Sequence, residues 1–314
     1  MTLKGPRTFA SVASFVSFVS FVSLSAACAA QTPAAQTPPA PKFDGARAFD
    51  DLKAMVAIGP RPAGSPAIEK TRDYIRKQLA DAGLKAEDQP FDAQTPTGTV
   101  HMVNIRATLP GQIHDKGRLV IGGHYDTKLF KDIKFVGASD AASSAAVLLE
   151  LARALKGRAN ALPIELLFLD GEEAVVDWNH PSGTDHTYGS RYYVQQAKKS
   201  GTAKDIRAFV LVDMVGDRDL NIRREQNSTP WLTDAIWSTA KKLNRPEFVD
   251  DPWPIEDDHL EFLEAGIESV DLIDLDYPAW HKETDDLAHV SAKSLQAVGD
   301  VLVASLPLIE TRLK

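Results

Sequence analysis

Four largely apolar runs, each followed closely by an acidic or metal-ligating side chain, constrain this chain more than any other feature. Gly117-Arg-Leu-Val-Ile-Gly-Gly123 leads into His124 and Asp126, and Pro163-Ile-Glu-Leu-Leu-Phe-Leu169 leads into Asp170-Gly-Glu-Glu173. Ala208-Phe-Val-Leu-Val212 leads into Asp213, and Val270-Asp-Leu-Ile-Asp-Leu275 is soon followed by His281. Runs of this kind, separated by segments with helical spacing, read as strands of a mostly parallel sheet covered by helices on both faces. The expected fold class is therefore α/β, a three-layer sandwich. Such sheets gather ligands beyond the carboxyl ends of their strands, so these distant residues are expected to converge.

The remaining elements follow from periodicity and stop signals. Phe49, Leu52, Met55 and Val56 predict a helix over 46–58, ended by Gly59-Pro-Arg-Pro-Ala-Gly-Ser65. A second helix is expected over 66–82, with Gly83 as its stop. Residues 85–108 read as two edge strands around Pro96-Thr-Gly98. Then come strand 118–124, helix 139–156, strand 163–169, helix 189–199, strand 206–213, helices 230–243 and 258–265, strand 269–275 and a closing helix 291–312.

The 314 residues, 44% hydrophobic and 25% charged, suffice for one large domain and a leader segment. A formal charge of −8, with Lys and Arg scattered, argues against nucleic acid as a partner. At the N-terminus, Lys4 and Arg7 precede Ser-Phe-Val repeats over 9–24 and the small residues around Cys28, the pattern of a secretory signal. Its length and its serines argue against a transmembrane span. Two processing modes stay open: a lipoprotein-like one that anchors Cys28 in lipid, and ordinary cleavage after Ala29 or Ala30. Both imply export across a bacterial inner membrane, to a periplasmic or lipid-anchored position. Residues 31–41, built only from Gln, Thr, Pro and Ala, read as a semi-extended tether. The expected organisation is a signal over 1–30, a tether over 31–42 and a single catalytic domain over 43–314. Cys28 is the only cysteine, so no disulfide supports that domain.

Each candidate residue has an ordinary role when taken alone. Paired acids after a strand commonly sit at a helix N-terminus, where the macrodipole favours them. Asp140, in Gly137-Ala-Ser-Asp-Ala-Ala-Ser-Ser-Ala145, reads singly as a helix cap, and Asp213 as a strand-end cap. His101, His114, His180, His186, His259 and His289 are assigned to surface, loop or helix-start positions. Repetition of the pattern at several strand ends argues instead for a site. Nitrogen and carboxylate donors without thiolates point first to zinc. Asp140, Glu173 and His281 supply the three ligands of a catalytic zinc, and Glu172 stands beside them as general acid and base. Asp126 can orient His124. His124 and Asp213 complete a second metal site that shares Asp140, which leaves one or two zinc ions open.

By His124-Tyr-Asp126, Gly-Ala-Ser-Asp140, Gly-Glu-Glu173, Asp213 and His281, the chain resembles the zinc-dependent exopeptidase family that contains bacterial aminopeptidases, over roughly residues 45–312. Within that family it is most similar to the animal-type glutaminyl-peptide cyclotransferases. Tyr125-Asp-Thr-Lys128, Phe135-Val-Gly-Ala138, Leu149-Glu-Leu-Ala-Arg-Ala-Leu155, Tyr188-Gly-Ser-Arg191, Asp257-Asp-His-Leu-Glu-Phe-Leu263 and Trp280-His281 carry that likeness. The resemblance implies one zinc on Asp140, Glu173 and His281, and proton transfer by Glu172. It further implies hydrogen bonds held by Asp213 and Asp257, and a substrate pocket walled by Trp178, Ile255 and Trp280. The chain departs from the family at Glu256, where a neutral amide is expected, and in the loop Tyr277-Pro-Ala-Trp280, which is one residue shorter. Gly123 and Ala145 stand where the secreted animal enzymes carry a cysteine pair.

The expected activity is zinc-dependent conversion of an N-terminal glutamine to pyroglutamate with release of ammonia, on peptide or protein N-termini. The alternative enzyme is an aminopeptidase with two zinc ions, in which Glu172 activates water. A third reading, a non-catalytic relative that binds metal or peptide, is weakened by Glu172, because a binding module needs no proton shuttle.

Overall fold

The structure, a computed structural model, describes residues 1–15, 17, 42–181 and 183–314. Residues 16 and 18–30 of the expected signal, Cys28 among them, and residues 31–41 of the tether lie outside the described residues. From residue 42 onward the described residues belong to one compact unit. Helix α1 (Gly45–Ile58) begins where the Asp44 side chain accepts the Ala46 and Arg47 amides, and ends at Gly59, whose φ of 95° no β-branched residue would tolerate. Helix α2 (Pro66–Asp81) begins with a Ser65 cap and a proline in its first turn. Strands β1 (Glu87–Thr95) and β2 (Gly98–Leu109) form a hairpin. The alternating part comprises β3 (Arg118–His124), α3 (Ser144–Ala154), β4 (Ile164–Leu169), α4 (Tyr188–Ser200) and β5 (Ile206–Asp213). It continues with β6 (Ile222–Glu225), α5 (Pro230–Lys242), β7 (Phe248–Trp253), α6 (His259–Glu264), β8 (Ser269–Ile273) and α7 (Ala292–Leu313).

Six strands form the main sheet in the order β1-β2-β4-β3-β5-β8. β4, β3, β5 and β8 run parallel, and the β1–β2 hairpin joins β4 antiparallel. Of the two hairpin strands only β1 lies at the sheet edge, which corrects the expectation for residues 85–108. β2 pairs Ile105 with Phe168 and Leu109 with Ile164, so it is internal. Successive residues of the parallel strands point to opposite faces, as the pleat requires. Ile121, Leu166 and Val210 pack with α1, α3 and α7, while Val120, Leu167 and Phe209 pack with α4 and α6. The three-layer arrangement is thus written into the alternation of strands that are apolar on both sides. Helix α7 is long and apolar enough to cross a membrane by length and composition. Its Leu295, Val298, Val301, Leu302 and Leu306 are buried in the protein core.

Two further differences from the sequence expectations concern the site. The expected helix 139–156 begins only at Ser144, because Ala138–Ser143 forms a π-helical turn in which Asp140 has extended dihedrals. Asp140 therefore does not cap α3. The small parallel sheet of β6 and β7 was not anticipated. Ile-Arg-Arg-Glu and Phe-Val-Asp-Asp-Pro-Trp carry too many charges to read as apolar runs.

Close approaches and buried charge tie the layers together. A Cβ on Gly123 would sit 2.6 Å from the Val212 carbonyl oxygen and 2.9 Å from Ser144 Cβ, so only glycine fits there. Arg72 of α2 is fully buried, donates to the Tyr125 hydroxyl at 3.0 Å, and pairs with the fully buried Asp170 carboxylate at the end of β4. Asp170 in turn accepts the Val103 amide at 2.7 Å, which links α2, β2, β3 and β4. Leaving one member of such a pair alone in the interior costs about 3–5 kcal/mol. Arg72→Met should lower unfolding stability by about 3 kcal/mol or more, read as the midpoint of urea denaturation; a loss below about 1 kcal/mol would contradict the assignment.

Candidate active site

The carboxyl ends of the parallel strands bring the expected donors together. His124 is the last residue of β3, Asp213 the last of β5, and Glu172 and Glu173 follow β4. The π-helical turn before α3 supplies Asp140, and the loop after β8 supplies His281, held with a φ of 53°. Asp140 stands between two clusters. Its Oδ2 lies 3.4 Å from His281 Nε2, which is also 3.4 Å from Glu173 Oε1. Its Oδ1 lies 3.3 Å from His124 Nε2, which is 3.0 Å from Asp213 Oδ1. Within each cluster the donor atoms lie within 4.8 Å of one another. Bonds of about 2.0–2.1 Å in a tetrahedron place neighbouring ligand atoms about 3.3 Å apart, so both sets suit a divalent ion such as zinc. Neither His124 nitrogen makes a regular hydrogen bond despite full burial, as expected of a side chain shaped for another partner.

The electrostatics match. Burial opposes a proton on His281, yet the Asp140 and Glu173 carboxylates push its pKa up to about 10. Burial would raise Asp140, but the His124 and His281 imidazoles close to it hold it below the usual carboxylate range. Glu172 turns the other way from its neighbour: Oε2 is 3.8 Å from His124 Nδ1, whereas Glu173 faces Lys128 and His281. Burial pushes the Glu172 carboxyl well above the ordinary range, with Glu173, Asp257 and Asp258 adding to the effect and His124 opposing it. A carboxyl poised in this way suits proton transfer.

A cavity of about 500 Å³ opens over these groups. Asp140, Glu172, Glu173, Asp213, Asp257 and His281 reach it, and Trp178, Ile255 and Trp280 contribute to its walls. Every expected catalytic, metal and pocket residue except His124 lines it, and His124 lies directly beneath, against Asp140 and Asp213. Asp257 is buried, its Oδ2 has no protein partner, and burial raises its pKa well above the usual value, with Asp271 adding to the shift.

Several residues that hold this geometry escaped the sequence reading. Asp285 accepts the Ser139 amide at 2.8 Å, the Asp140 amide at 3.1 Å and the Tyr277 hydroxyl at 3.0 Å, and so sets the turn that carries Asp140. Its only signal in the sequence was an acid shortly after a ligand histidine. Asp126, expected to orient His124 and 3.4 Å from its Nδ1, has a second task that was not expected: it accepts the Glu172 and Glu173 amides at 3.2 and 3.4 Å. Arg61 is fully buried and donates to the carbonyls of Tyr125, Val136 and Gly137, fastening the loop between β3 and Asp140. Burial lowers its pKa to about 10. Glu225, on the unanticipated β6, accepts the Ile255 amide at 3.2 Å and contacts His259 Nε2 at 3.1 Å. Two histidines stand where expected but are buried there: His259 starts a helix and is fully buried between Glu225 and Asp271, and His186 lies in a loop, buried against Trp178.

Parallel strands ending in clustered carboxylate and imidazole donors beneath an open cavity define a metal-dependent α/β enzyme of the exopeptidase type. The chain belongs to peptidase family M28, whose model matches residues 104–306. It is 32% identical over 279 residues to the glutaminyl-peptide cyclotransferase-like protein of Mus musculus, covering 78% of this chain and 71% of that one. The crystal structure of an Acidobacteriales bacterium glutaminyl cyclase aligns with a TM-score of 0.82 and 36% identity, over 90% of this chain and 100% of that one. A leucine aminopeptidase precursor from Bacteroides thetaiotaomicron aligns with a TM-score of 0.77 and 26% identity, over 85% of this chain and 98% of that one.

Residues that orient metal ligands typically contribute about 10–100-fold in metal affinity. Asp285→Ala should therefore weaken zinc binding by about that factor in a competition titration against a chelating dye, with the fold retained in circular dichroism. Unchanged affinity would show that the Asp140 turn holds without it.

Proposed function

We propose that the chain is a glutaminyl-peptide cyclotransferase, converting the N-terminal glutamine of a peptide or protein to pyroglutamate and ammonia. One observation carries this reading: a single cavity joins the Asp140, Glu173 and His281 donor set, Glu172, and the apolar walls Trp178, Ile255 and Trp280. The similar mouse protein and bacterial structure bear the name of that activity. Asp140, Glu173 and His281 would hold one zinc, which when bound supplies Lewis-acid polarisation of a carbonyl.

The remaining work falls to the chain's own side chains. The substrate's α-nitrogen forms a bond to its own side-chain carbonyl carbon, and the bond from that carbon to the amide nitrogen breaks, so one ammonia leaves. Because the nucleophile is part of the substrate, the site has to hold a folded-back conformer. The indoles of Trp178 and Trp280 and the Ile255 side chain shape the space for it and exclude water. Glu172 takes the proton from the α-amine and returns it to the departing nitrogen. Asp213 and Asp257, in the same cavity, provide the hydrogen-bonding surround of that carboxyl.

The His124, Asp140 and Asp213 cluster favours a second reading, an aminopeptidase holding two zinc ions in which Glu172 deprotonates a water molecule. We further propose that residues 1–30 direct export to a periplasmic or lipid-anchored position, with Cys28 as the candidate attachment point. The intact mass of the matured protein tests this; a chain still beginning at Met1 would overturn it.

Incubation with a glutaminyl peptide and an aminoacyl amide separates the two activities. Ammonia with a pyroglutamyl product, and about one zinc per chain, is the expected result; free amino acid without that product, and about two zinc ions, establishes the peptidase. Glu172→Gln should lower kcat by about 10²–10⁴-fold while zinc stays bound. Loss of zinc in that variant would mean that Glu172 is a ligand.

A further inference from the structure

We infer that His186 and Glu256 are positioning residues that hold Trp178 as a fixed wall of the substrate cavity, and thereby set how tightly the N-terminal residue is bound. The identity of that residue rests on the cyclotransferase reading. Trp178 lies in the loop between β4 and α4, flanked by exposed Asp177 and Asn179. An indole in such a polar loop has no core to keep it in place, and three contacts supply what the core does not.

The His186 ring stacks on the indole with centroids 3.7 Å apart and planes 7° from parallel. His186 is itself buried and stands behind the wall, outside the set of residues that line the cavity. Burial lowers its pKa to about 4, so it packs as a neutral ring at neutral pH. The second contact comes from a distant segment: the indole Nε1–H donates to Glu256 Oε2 at 3.1 Å, across the mouth of the cavity. The third acts on the backbone. Asp185, fully buried, accepts the Val176 amide at 2.7 Å, the Asp177 amide at 3.0 Å and the Tyr188 hydroxyl at 2.6 Å. The chain leading into Trp178 is therefore tied to the segment that carries His186.

Ordering a mobile side chain on binding weakens affinity, and a wall ordered beforehand avoids that loss. Glu256 stands where the sequence comparison leads one to expect a neutral amide. A glutamine there would also offer the indole an oxygen, so the contact seen here does not require the charge.

The test compares ammonia release from a glutaminyl peptide by the full chain and by H186A, H186F and E256A. H186A and E256A should raise KM roughly two- to ten-fold with kcat changed less than about twofold, the pattern of lost binding and not lost chemistry. H186F keeps a flat ring behind the indole and should bring KM most of the way back. A merely structural role for His186 would move kcat and KM together. Acrylamide quenching of tryptophan fluorescence reads the same contact without turnover: H186A should increase quenching, and the increase should vanish in H186A combined with W178F. Unchanged KM in both alanine variants, H186F no better than H186A, or quenching unaltered by H186A would each overturn the inference. E256A, at the exposed rim, together with H186F, decides the question if H186A does not fold. A parent enzyme that releases no ammonia would defeat the cyclotransferase reading alone, because quenching still decides whether the indole is clamped.

Discussion

Asp140, Glu172, Glu173, Asp213 and Asp257 all meet below one cavity, and each is buried. Charges removed from water must be paired, coordinated or neutralised, and no apolar packing can substitute for that. His124 and His281 answer part of the demand, and a divalent cation on Asp140 would answer more. Glu172 and Asp257 both have neighbourhoods that favour the protonated form, because burial and the surrounding acids act against their charge. The division of labour between two adjacent glutamates thus follows from where each carboxylate points.

The loops that deliver these groups are held by other acids, used as acceptors for backbone amides. Asp126 grips the Glu172–Glu173 peptide, Asp285 the turn at Asp140, Asp185 the approach to Trp178, and Glu225 the amide of Ile255. Arg61 does the converse and donates to three carbonyls of the loop before Asp140. Loops have no ladder of their own to satisfy backbone groups once they are buried, so charged side chains take over. The same bonds that satisfy the backbone restrict where the functional side chains can go.

What the sequence revealed and what it hid divide along physical lines. The parallel strands were legible because both faces are covered, which turns β4 and β5 into largely apolar stretches, broken only by Glu165 and Arg207 near their starts, that stop abruptly at acids. The donors were legible because they sit at those stops. β6 and β7 were not, since their solvent-facing positions carry Arg224, Asp250 and Asp251 and leave too little apolar signal. Asp185, Asp285 and Arg61 stayed hidden for a different reason. Their partners are backbone groups far away or in turns, and a single charged residue in a polar loop looks the same whether it faces water or a peptide amide. His186 belongs with them, because its partner is an indole in another bend of the same connection.

Gly123 shows how closely the layers approach: at this position β3 leaves no room for a side chain against Ser144 of α3. The only cysteine of the chain is Cys28, far upstream of the sheet. No disulfide therefore helps to hold the walls of the cavity, and a thiol reductant finds nothing in residues 42–314 on which to act. The fold of residues 42–314 thus does not depend on a disulfide being kept oxidised.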